Sequence, residues 1–135
     1  MLVNTVVKYA VGRARPYVWK GDPGLYGDPH DANLSFFSGH TTFAFSVAVA
    51  AGTIFLMQGM PGAPVALGAG LALAGFTGYL RMAADQHYLT DVVVGAAVGS
   101  LVGWAIPFVF HRPAQGNGTQ PAALIPAPGG IAFVF

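Results

Sequence analysis

His87 and Asp91 are spaced as a reactive histidine and its supporting carboxylate. Residues four apart in a helix share a face, so the two side chains meet if a helix begins near Tyr88 or slightly earlier. A carboxylate that accepts from one ring nitrogen fixes the tautomer and leaves the other nitrogen as a directed lone pair. This pattern suits a nucleophilic or basic histidine. It fits equally well a helix N-terminal aspartate beside a surface histidine, and the pair alone does not decide.

Ser38-Gly39-His40 precedes the first long apolar run of the chain. A helix N-terminus presents unpaired backbone N–H groups and the positive end of the helix dipole, and both favour a bound anion. Gly39 permits close approach, Ser38 adds a hydroxyl donor, and His40 stands where it can donate a proton. Ser38 also fits a simple N-cap, which is a common role for serine.

Three cations complete the candidate set, namely Lys8, Arg15 and Arg81. Guanidinium groups match phosphate oxygens bidentately, and an ammonium adds a point charge. Two histidines, three cations and a helix N-terminus at one place describe a phosphoryl-transfer site, where stabilising the charge on the equatorial oxygens supplies most of the catalysis. The Asp-Pro-His-Asp run at 28–31 is a weak hard-cation site, and we interpret it as part of a solvated loop. We expect no metal and no cofactor.

The elements that position these residues are predicted to be membrane helices. Only 8% of the 135 residues are charged and 54% are hydrophobic, whereas about 25% are charged in a typical soluble domain. Three apolar stretches approach the roughly 20 residues that a bilayer core requires, and they cover 41–58, 63–80 and 92–110. A chain this short cannot bury three such helices on all sides. The composition excludes a disordered chain, a basic nucleic-acid-binding surface and an ordinary soluble globule.

Passing three helices through a bilayer places nearly all the charges on one face, named side A here. The first helix leaves side A after His40, the second returns near Arg81, and the third leaves again at Asp91. Among the Asp, Glu, Lys and Arg residues, only Arg112 then lies on the opposite face. Ionisable groups at membrane depth are costly and are functional candidates by default. We therefore expect the site on side A.

Two sets of small residues recur at steps of four, at Ala44, Ala48 and Gly52 and at Gly95, Gly99 and Gly103. Small residues on one helical face let membrane helices approach closely. These stripes predict packing surfaces and carry no information about chemistry.

The chain resembles the type 2 phosphatidic acid phosphatase family, the lipid phosphate phosphatases related to vanadium haloperoxidases. Three motifs in order carry the resemblance. The first is Lys, six residues, then Arg-Pro, which is Lys8 to Pro16 here. The second is Pro-Ser-Gly-His, present as Phe37-Ser38-Gly39-His40. The third is Ser-Arg, five residues, His, three residues, Asp, and it is present as Leu80-Arg81 followed by His87 and Asp91.

The resemblance implies a role for each matched residue. His87 would attack phosphorus and form a phosphohistidine, Asp91 would orient His87, and His40 would protonate the leaving alkoxide. The phosphate oxygens would be held by Lys8, Arg15, Ser38, Gly39 and Arg81. Water would hydrolyse the phosphoenzyme without a metal. Phe37 and Leu80 depart from the family pattern, and the second change removes one hydroxyl that would support the phosphate.

The fold class implied is an all-α membrane helix bundle. It has three transmembrane helices and a short N-terminal helix, and it corresponds to a C-terminal part of a six-helix phosphatase fold. We expect an N-terminally incomplete phosphatase-like domain at 1–112. A low-complexity Pro/Gly-rich tail at 113–135 is expected to be extended or disordered.

The expected function is hydrolysis of a lipid phosphate or diphosphate monoester by a multi-pass protein of the cell or inner membrane. The partners would be the lipid substrate and the bilayer, with no nucleic acid, and the active site would face the non-cytoplasmic side. Two alternatives remain open. One is a truncated, catalytically impaired binding or assembly fragment, and the other is a vanadate-dependent haloperoxidase-like protein.

Overall fold

The computed structural model describes residues 2–21, 29–110, 123–127 and 130–134. The helical part consists of α1 (Leu2–Val11), α2 (Pro16–Trp19), a 3-10 turn (Pro29–Asp31), α3 (Gly39–Met57), α4 (Ala63–Ala83) and α5 (Leu89–Phe110). The predicted bundle of three long helices preceded by a short one is therefore confirmed.

The tail adds an antiparallel hairpin of β1 (Ala123–Ala127) and β2 (Gly130–Val134). Ala123 lies opposite Val134 in the register of this hairpin. The hairpin is extended backbone within the predicted low-complexity tail, and it lies outside the all-helical prediction. The predicted boundary between 112 and 113 lies outside the described residues.

Helices α3, α4 and α5 are long and apolar enough to cross a membrane, with mean hydropathies of 1.5, 1.4 and 2.1. Their outward faces carry large apolar side chains such as Phe43, Leu73 and Leu101, which are 60%, 69% and 65% exposed. A soluble protein of this size would bury such side chains in its core. Their exposure is expected where lipid is the solvent, and it supports a membrane protein.

Close backbone contact joins α3 to α5 along the predicted glycine stripe of α5. A Cβ added at Gly95 would come 2.8 Å from the carbonyl oxygen of Ser38, and one added at Gly99 would overlap the carbonyl of Thr42. Gly103 meets α3 in the same way one turn further on. The glycines therefore form the packing surface that their spacing predicted.

The small residues of α3 pack against α4. A Cβ on Gly52 would overlap the side chain of Leu67, and Ala48 lies 3.2 Å from the position of a Cβ on Gly70. Two of the three residues of the Ala44, Ala48 and Gly52 stripe are thereby placed at a helix interface. Helix α3 is consequently the central element that both α4 and α5 contact.

The start of α3, the end of α4 and the start of α5 lie at the same end of the bundle. The backbone N–H of Ser38 donates to the carbonyl of Asp91 at 3.0 Å, which joins the starts of α3 and α5. The N–H of Tyr17 donates to the carbonyl of Asp85 at 3.2 Å, and Lys20 pairs with the Asp85 carboxylate at 2.6 Å. The loop after α1 is thereby held against the α4–α5 turn, as the side A prediction requires.

Replacing Gly99 by leucine is expected to lower the stability of the bundle, because the new side chain would overlap the backbone of α3. Overpacking of this kind costs about 1–3 kcal/mol or more. The measurement is the thermal unfolding midpoint of the purified protein in detergent micelles, followed by circular dichroism.

The matched control is Gly75→Leu on α4, since a Cβ at Gly75 has no heavy atom within 4 Å. This variant is expected to unfold at the wild-type temperature or slightly above it. Equal midpoints for the two leucine variants would contradict the packing described here.

Candidate active site

His87 and Asp91 meet where α5 begins. His87 lies in the turn just before Leu89 and is 2% exposed, whereas Asp91 lies in the first turn of α5 and is fully buried. The distance from His87 Nδ1 to Asp91 Oδ2 is 3.7 Å, which is longer than a hydrogen bond. His87 Nδ1 has no hydrogen-bond partner among the described residues. The pair is thus in electrostatic contact, and a small approach would form the bond.

Three other donors contact the Asp91 carboxylate. Arg13 Nη1 donates to Oδ1 at 2.7 Å, Ser35 Oγ donates to Oδ2 at 2.5 Å, and the Tyr88 N–H donates to Oδ2 at 3.0 Å. Arg13 also lies over the Tyr88 ring, 4.1 Å from its centroid, in a cation–π arrangement. A buried charge without such partners would be strongly unfavourable. The sequence pattern did not single out Ser35.

Lys8, Gly39 and His40 line one cavity of about 340 Å³. Lys8 comes from α1, and the other two come from the first turn of α3. The rest of the lining comprises Asn4, Thr5, Tyr9, Asp31, Leu34 and Phe43. Three predicted site residues therefore share one open, partly polar space at side A.

Ser38 caps α3 and is fully buried. Its Oγ accepts from the Thr41 N–H at 3.4 Å and from the Thr41 hydroxyl at 2.9 Å. Because the Ser38 oxygen accepts in both bonds, its own hydroxyl hydrogen can still be donated. Capping the helix and donating to an anion are thus compatible roles for this residue.

Arg15 is a buried cation, 5% exposed, held by the loops around it. Its Nε donates to the Asp31 carbonyl at 2.9 Å, and Nη1 donates to Gln86 Oε1 at 2.6 Å. Its Nη2 lies 3.8 Å from the Asp31 carboxylate, whose side chain is 59% exposed. An ion pair at this distance with an exposed carboxylate is weak. No spacing rule pointed to Gln86.

Arg81 lies in the last turn of α4 and has a buried Nε without a hydrogen-bond partner among the described residues. A buried unsatisfied donor is rare in native structures and calls for an explanation. Arg81, Lys8 and Arg15 all act electrostatically on His87 and on His40. The structure thus brings the three predicted cations within range of both predicted histidines.

Burial, together with the nearby charges of Arg15, Lys8 and Arg81, lowers the pKa of His87 from 6.5 to about 4. The Asp91 carboxylate opposes this shift. His87 is therefore neutral at pH 7, with a lone pair on one ring nitrogen. Burial and Arg15 likewise lower the pKa of Lys8 below its usual range.

The hard-cation candidate at 28–31 lies only partly within the described residues. Asp28 lies outside the described residues, while His30 and Asp31 lie on the 3-10 turn. Within the described residues no three histidine or acidic side chains are grouped so that they could hold a metal ion.

The sequence matches a known protein family and two named relatives. The sequence profile of the PAP2 superfamily matches residues 1–114. A lipid A 1-phosphatase of Porphyromonas gingivalis is 37% identical over 114 residues, which cover 82% of this chain and 22% of that protein. A lipid A 1-phosphatase of Rhizobium johnstonii is 32% identical over 115 residues, which cover 82% of this chain and 43% of that protein. The chain spans less than half the length of either relative, and no solved structure gives a significant match.

Acidification is expected to destabilise the folded chain through His87. Its pKa is about 4 when folded and near 6.5 when unfolded, so between these values the unfolded chain binds more protons. The free energy of unfolding therefore has its full value above pH 6.5 and falls as the pH drops from 6.5 to 4. The total loss is about 3 kcal/mol once His87 is protonated in both the folded and the unfolded state. The measurement is the unfolding midpoint as a function of pH for the wild type and for His87→Gln. A wild-type profile identical to that of His87→Gln would contradict the assignment of a neutral buried imidazole.

Proposed function

The chain belongs to the PAP2 superfamily, and from that membership we propose that it is an integral membrane phosphatase acting on a lipid phosphate or diphosphate monoester. The observation that carries the proposal is a buried, neutral histidine beside a buried carboxylate and three cations. Both relatives are named lipid A 1-phosphatase. The 1-phosphate of lipid A is therefore the first substrate to test.

In the first step the free ring nitrogen of His87 attacks phosphorus. A phosphorus–nitrogen bond forms while the bond from phosphorus to the lipid oxygen breaks, and the electron pair leaves with that oxygen. Nucleophilic attack needs a neutral imidazole, which the low pKa of His87 provides at pH 7. Asp91, 3.7 Å from Nδ1, stabilises the positive charge that develops on the ring.

The phosphoryl oxygens are held by the cations and by the start of α3. Arg15 and Arg81 supply planar guanidinium donors, and Lys8 adds a point charge at the cavity wall. Ser38 and the Gly39 N–H supply neutral donors at the positive end of the α3 dipole. Donors fixed in advance stabilise the transition state without having to reorganise.

His40 completes both halves of the reaction. In its protonated form it transfers a proton to the leaving alkoxide as the phosphohistidine forms. In its neutral form it then takes a proton from the water that attacks the phosphohistidine, which releases phosphate and restores His87. We propose that no metal takes part, since Lys8 and the two arginines supply the positive charge on the phosphoryl group.

An apolar groove beside the cavity supports a lipid substrate. Its volume is about 330 Å³, and Asn4, Gly39 and Phe43 line both the groove and the polar cavity. The remainder of its wall is formed by the apolar side chains of Val3, Phe37, Val98 and Val102 together with Thr42 and Ser46. A phosphate in the polar cavity would leave the adjoining hydrocarbon against this groove. We further propose that the site opens on the non-cytoplasmic face of a cell or inner membrane.

The second candidate function is a binding or assembly fragment without turnover. A haloperoxidase-like activity would use the same anion site with vanadate. The two candidates differ from a phosphatase in a simple way, since neither releases phosphate from a lipid.

Replacing His87 by alanine is expected to reduce phosphate release by about 10³-fold or more, as loss of a nucleophile typically does. The assay follows phosphate release from lipid A 1-phosphate, phosphatidic acid and an isoprenoid diphosphate by the purified chain in detergent. The matched control is His30→Ala, an exposed histidine on the 3-10 turn, which is expected to keep wild-type turnover. Undiminished turnover in His87→Ala, or its loss from the wild type on adding EDTA, would refute the proposed mechanism.

Replacing His40 by asparagine is expected to separate substrates by their leaving groups. An alkoxide must be protonated as it leaves. Hydrolysis of the lipid substrate should therefore slow by roughly 10²–10⁴-fold, the contribution that a general acid typically makes. A nitrophenolate leaves without a proton, so kcat/KM for p-nitrophenyl phosphate, which reports formation of the phosphohistidine before the shared hydrolysis step, should fall much less. Equal losses of kcat/KM on the lipid and the aryl substrate would exclude His40 as the general acid.

A further inference from the structure

We propose that Arg13 and Ser35 are positioning residues. They hold the Asp91 carboxylate in one orientation next to His87 and compensate its negative charge. The proposal rests on the proposed function, in which His87 is the nucleophile. Neither residue belongs to the proposed phosphate-binding or proton-transfer groups. Their effect on the reaction passes through Asp91.

The two residues are tied to each other as well as to the carboxylate. Arg13 Nη1 and Ser35 Oγ contact different oxygens of Asp91, at 2.7 and 2.5 Å. The backbone N–H of Ser35 also donates to the Arg13 carbonyl at 3.0 Å. The three residues therefore close a ring of hydrogen bonds from three separate segments of the chain. Neither carboxylate oxygen can rotate away without breaking one of these bonds.

The position of Ser35 bears directly on His87. Ser35 Oγ and the Tyr88 N–H both donate to Oδ2, the same oxygen that lies 3.7 Å from His87 Nδ1. An oxygen that already accepts two hydrogen bonds has less capacity for a third donor. Ser35 therefore weakens the interaction between the Asp91 carboxylate and the His87 imidazole.

Arg13 acts on the other oxygen. Its guanidinium is partly exposed, with 35% of the side-chain surface accessible, while the carboxylate it contacts is fully buried. It forms a charge-assisted hydrogen bond that compensates the negative charge of the Asp91 carboxylate. It is also anchored by Thr90 Oγ1 at 2.7 Å and by the Tyr88 ring. These contacts fix the guanidinium in one place beside the carboxylate.

The direction of the effect follows from the charges around His87. Arg15, Lys8 and Arg81 favour the neutral imidazole, and Asp91 opposes them. Removing Arg13 or Ser35 leaves the Asp91 charge less compensated and favours the protonated imidazole. The titration midpoint of His87 should then move to higher pH, and the acid limb of the kcat/KM profile should move with it. Looser orientation of the ring should lower kcat and leave KM nearly unchanged, because the phosphate donors are intact.

The experiment compares Arg13→Gln, Arg13→Lys and Ser35→Ala with two matched controls. Lys20→Gln removes a cation that pairs with Asp85, and Thr77→Ala removes a hydroxyl that donates to the Leu73 carbonyl. Two quantities are measured, the kinetic constants on the lipid phosphate and the His87 titration in micelles. The titration uses 15N-histidine NMR, with the His87 signal assigned by its loss in His87→Gln.

The expected result is a fall in kcat of roughly tenfold to a hundredfold in Arg13→Gln and Ser35→Ala, as a misplaced reacting group produces. The His87 midpoint should rise in both variants, return towards the wild-type value in Arg13→Lys, and stay unchanged in both controls. A lowered unfolding temperature with a wild-type His87 midpoint would show a structural role only and overturn the proposal. Unchanged kcat and midpoint would overturn it as well.

Failure of the proposed function gives a different outcome. If the wild type releases no phosphate from any lipid phosphate, the phosphatase assignment fails, yet the His87 midpoints still decide whether Arg13 and Ser35 control the imidazole. If Arg13→Gln does not fold, the midpoints of Arg13→Lys and Ser35→Ala decide the same question. A raised midpoint in Ser35→Ala supports positioning, and an unchanged one refutes it.

Discussion

The architecture of side A depends on one buried carboxylate. Asp91 is fully buried at the start of a membrane helix, where an ionised group without partners would be very costly. Its partners come from the loop after α1, from the segment before α3 and from the α4–α5 turn, through Arg13, Ser35 and Tyr88. The Asp91 carbonyl also accepts from the Ser38 N–H. Hydrogen bonds to this single residue therefore link the three motif-bearing segments.

Among the side chains that act electrostatically on His87, positive charges outnumber negative ones. The neutral His87 lies near the positive charges of Lys8, Arg15 and Arg81. Each of these charges disfavours protonation of the His87 imidazole. Exposed Asp31 offsets Lys8 and Arg15 only in part. An arrangement with excess positive charge and buried unpaired donors is stabilised when an anion enters. The positive charges that, with burial, favour the neutral form of His87 would therefore also attract the phosphate of the proposed substrate.

The long helices and most candidate site residues could be predicted because apolar length and motif spacing are properties of the sequence alone. The ends of the helices fell within a few residues of prediction, as for the first span, predicted at 41–58 and observed as Gly39–Met57. Ser35, Gln86 and Asn4 could not be predicted. Their roles depend on how loops fold back, since Ser35 and Gln86 reach partners 56 and 71 residues away and Asn4 donates to the Phe37 carbonyl. Loop paths of this kind carry no periodic signal.

One face of α5 provides both the contact with α3 and the buried carboxylate of the candidate site. Asp91, Gly95, Gly99 and Gly103 follow each other at steps of four, so the carboxylate heads the same face of α5 that the glycines press against α3. All four are buried. The absence of side chains at the glycines allows the backbones to touch, and that contact brings Asp91 within reach of the Ser38 N–H. A wider separation of the helices would expose the carboxylate and move His87 away from the start of α3. The glycine stripe supplies no reactive group, yet it sets the distance between α3 and α5, the helices whose first turns carry candidate site residues.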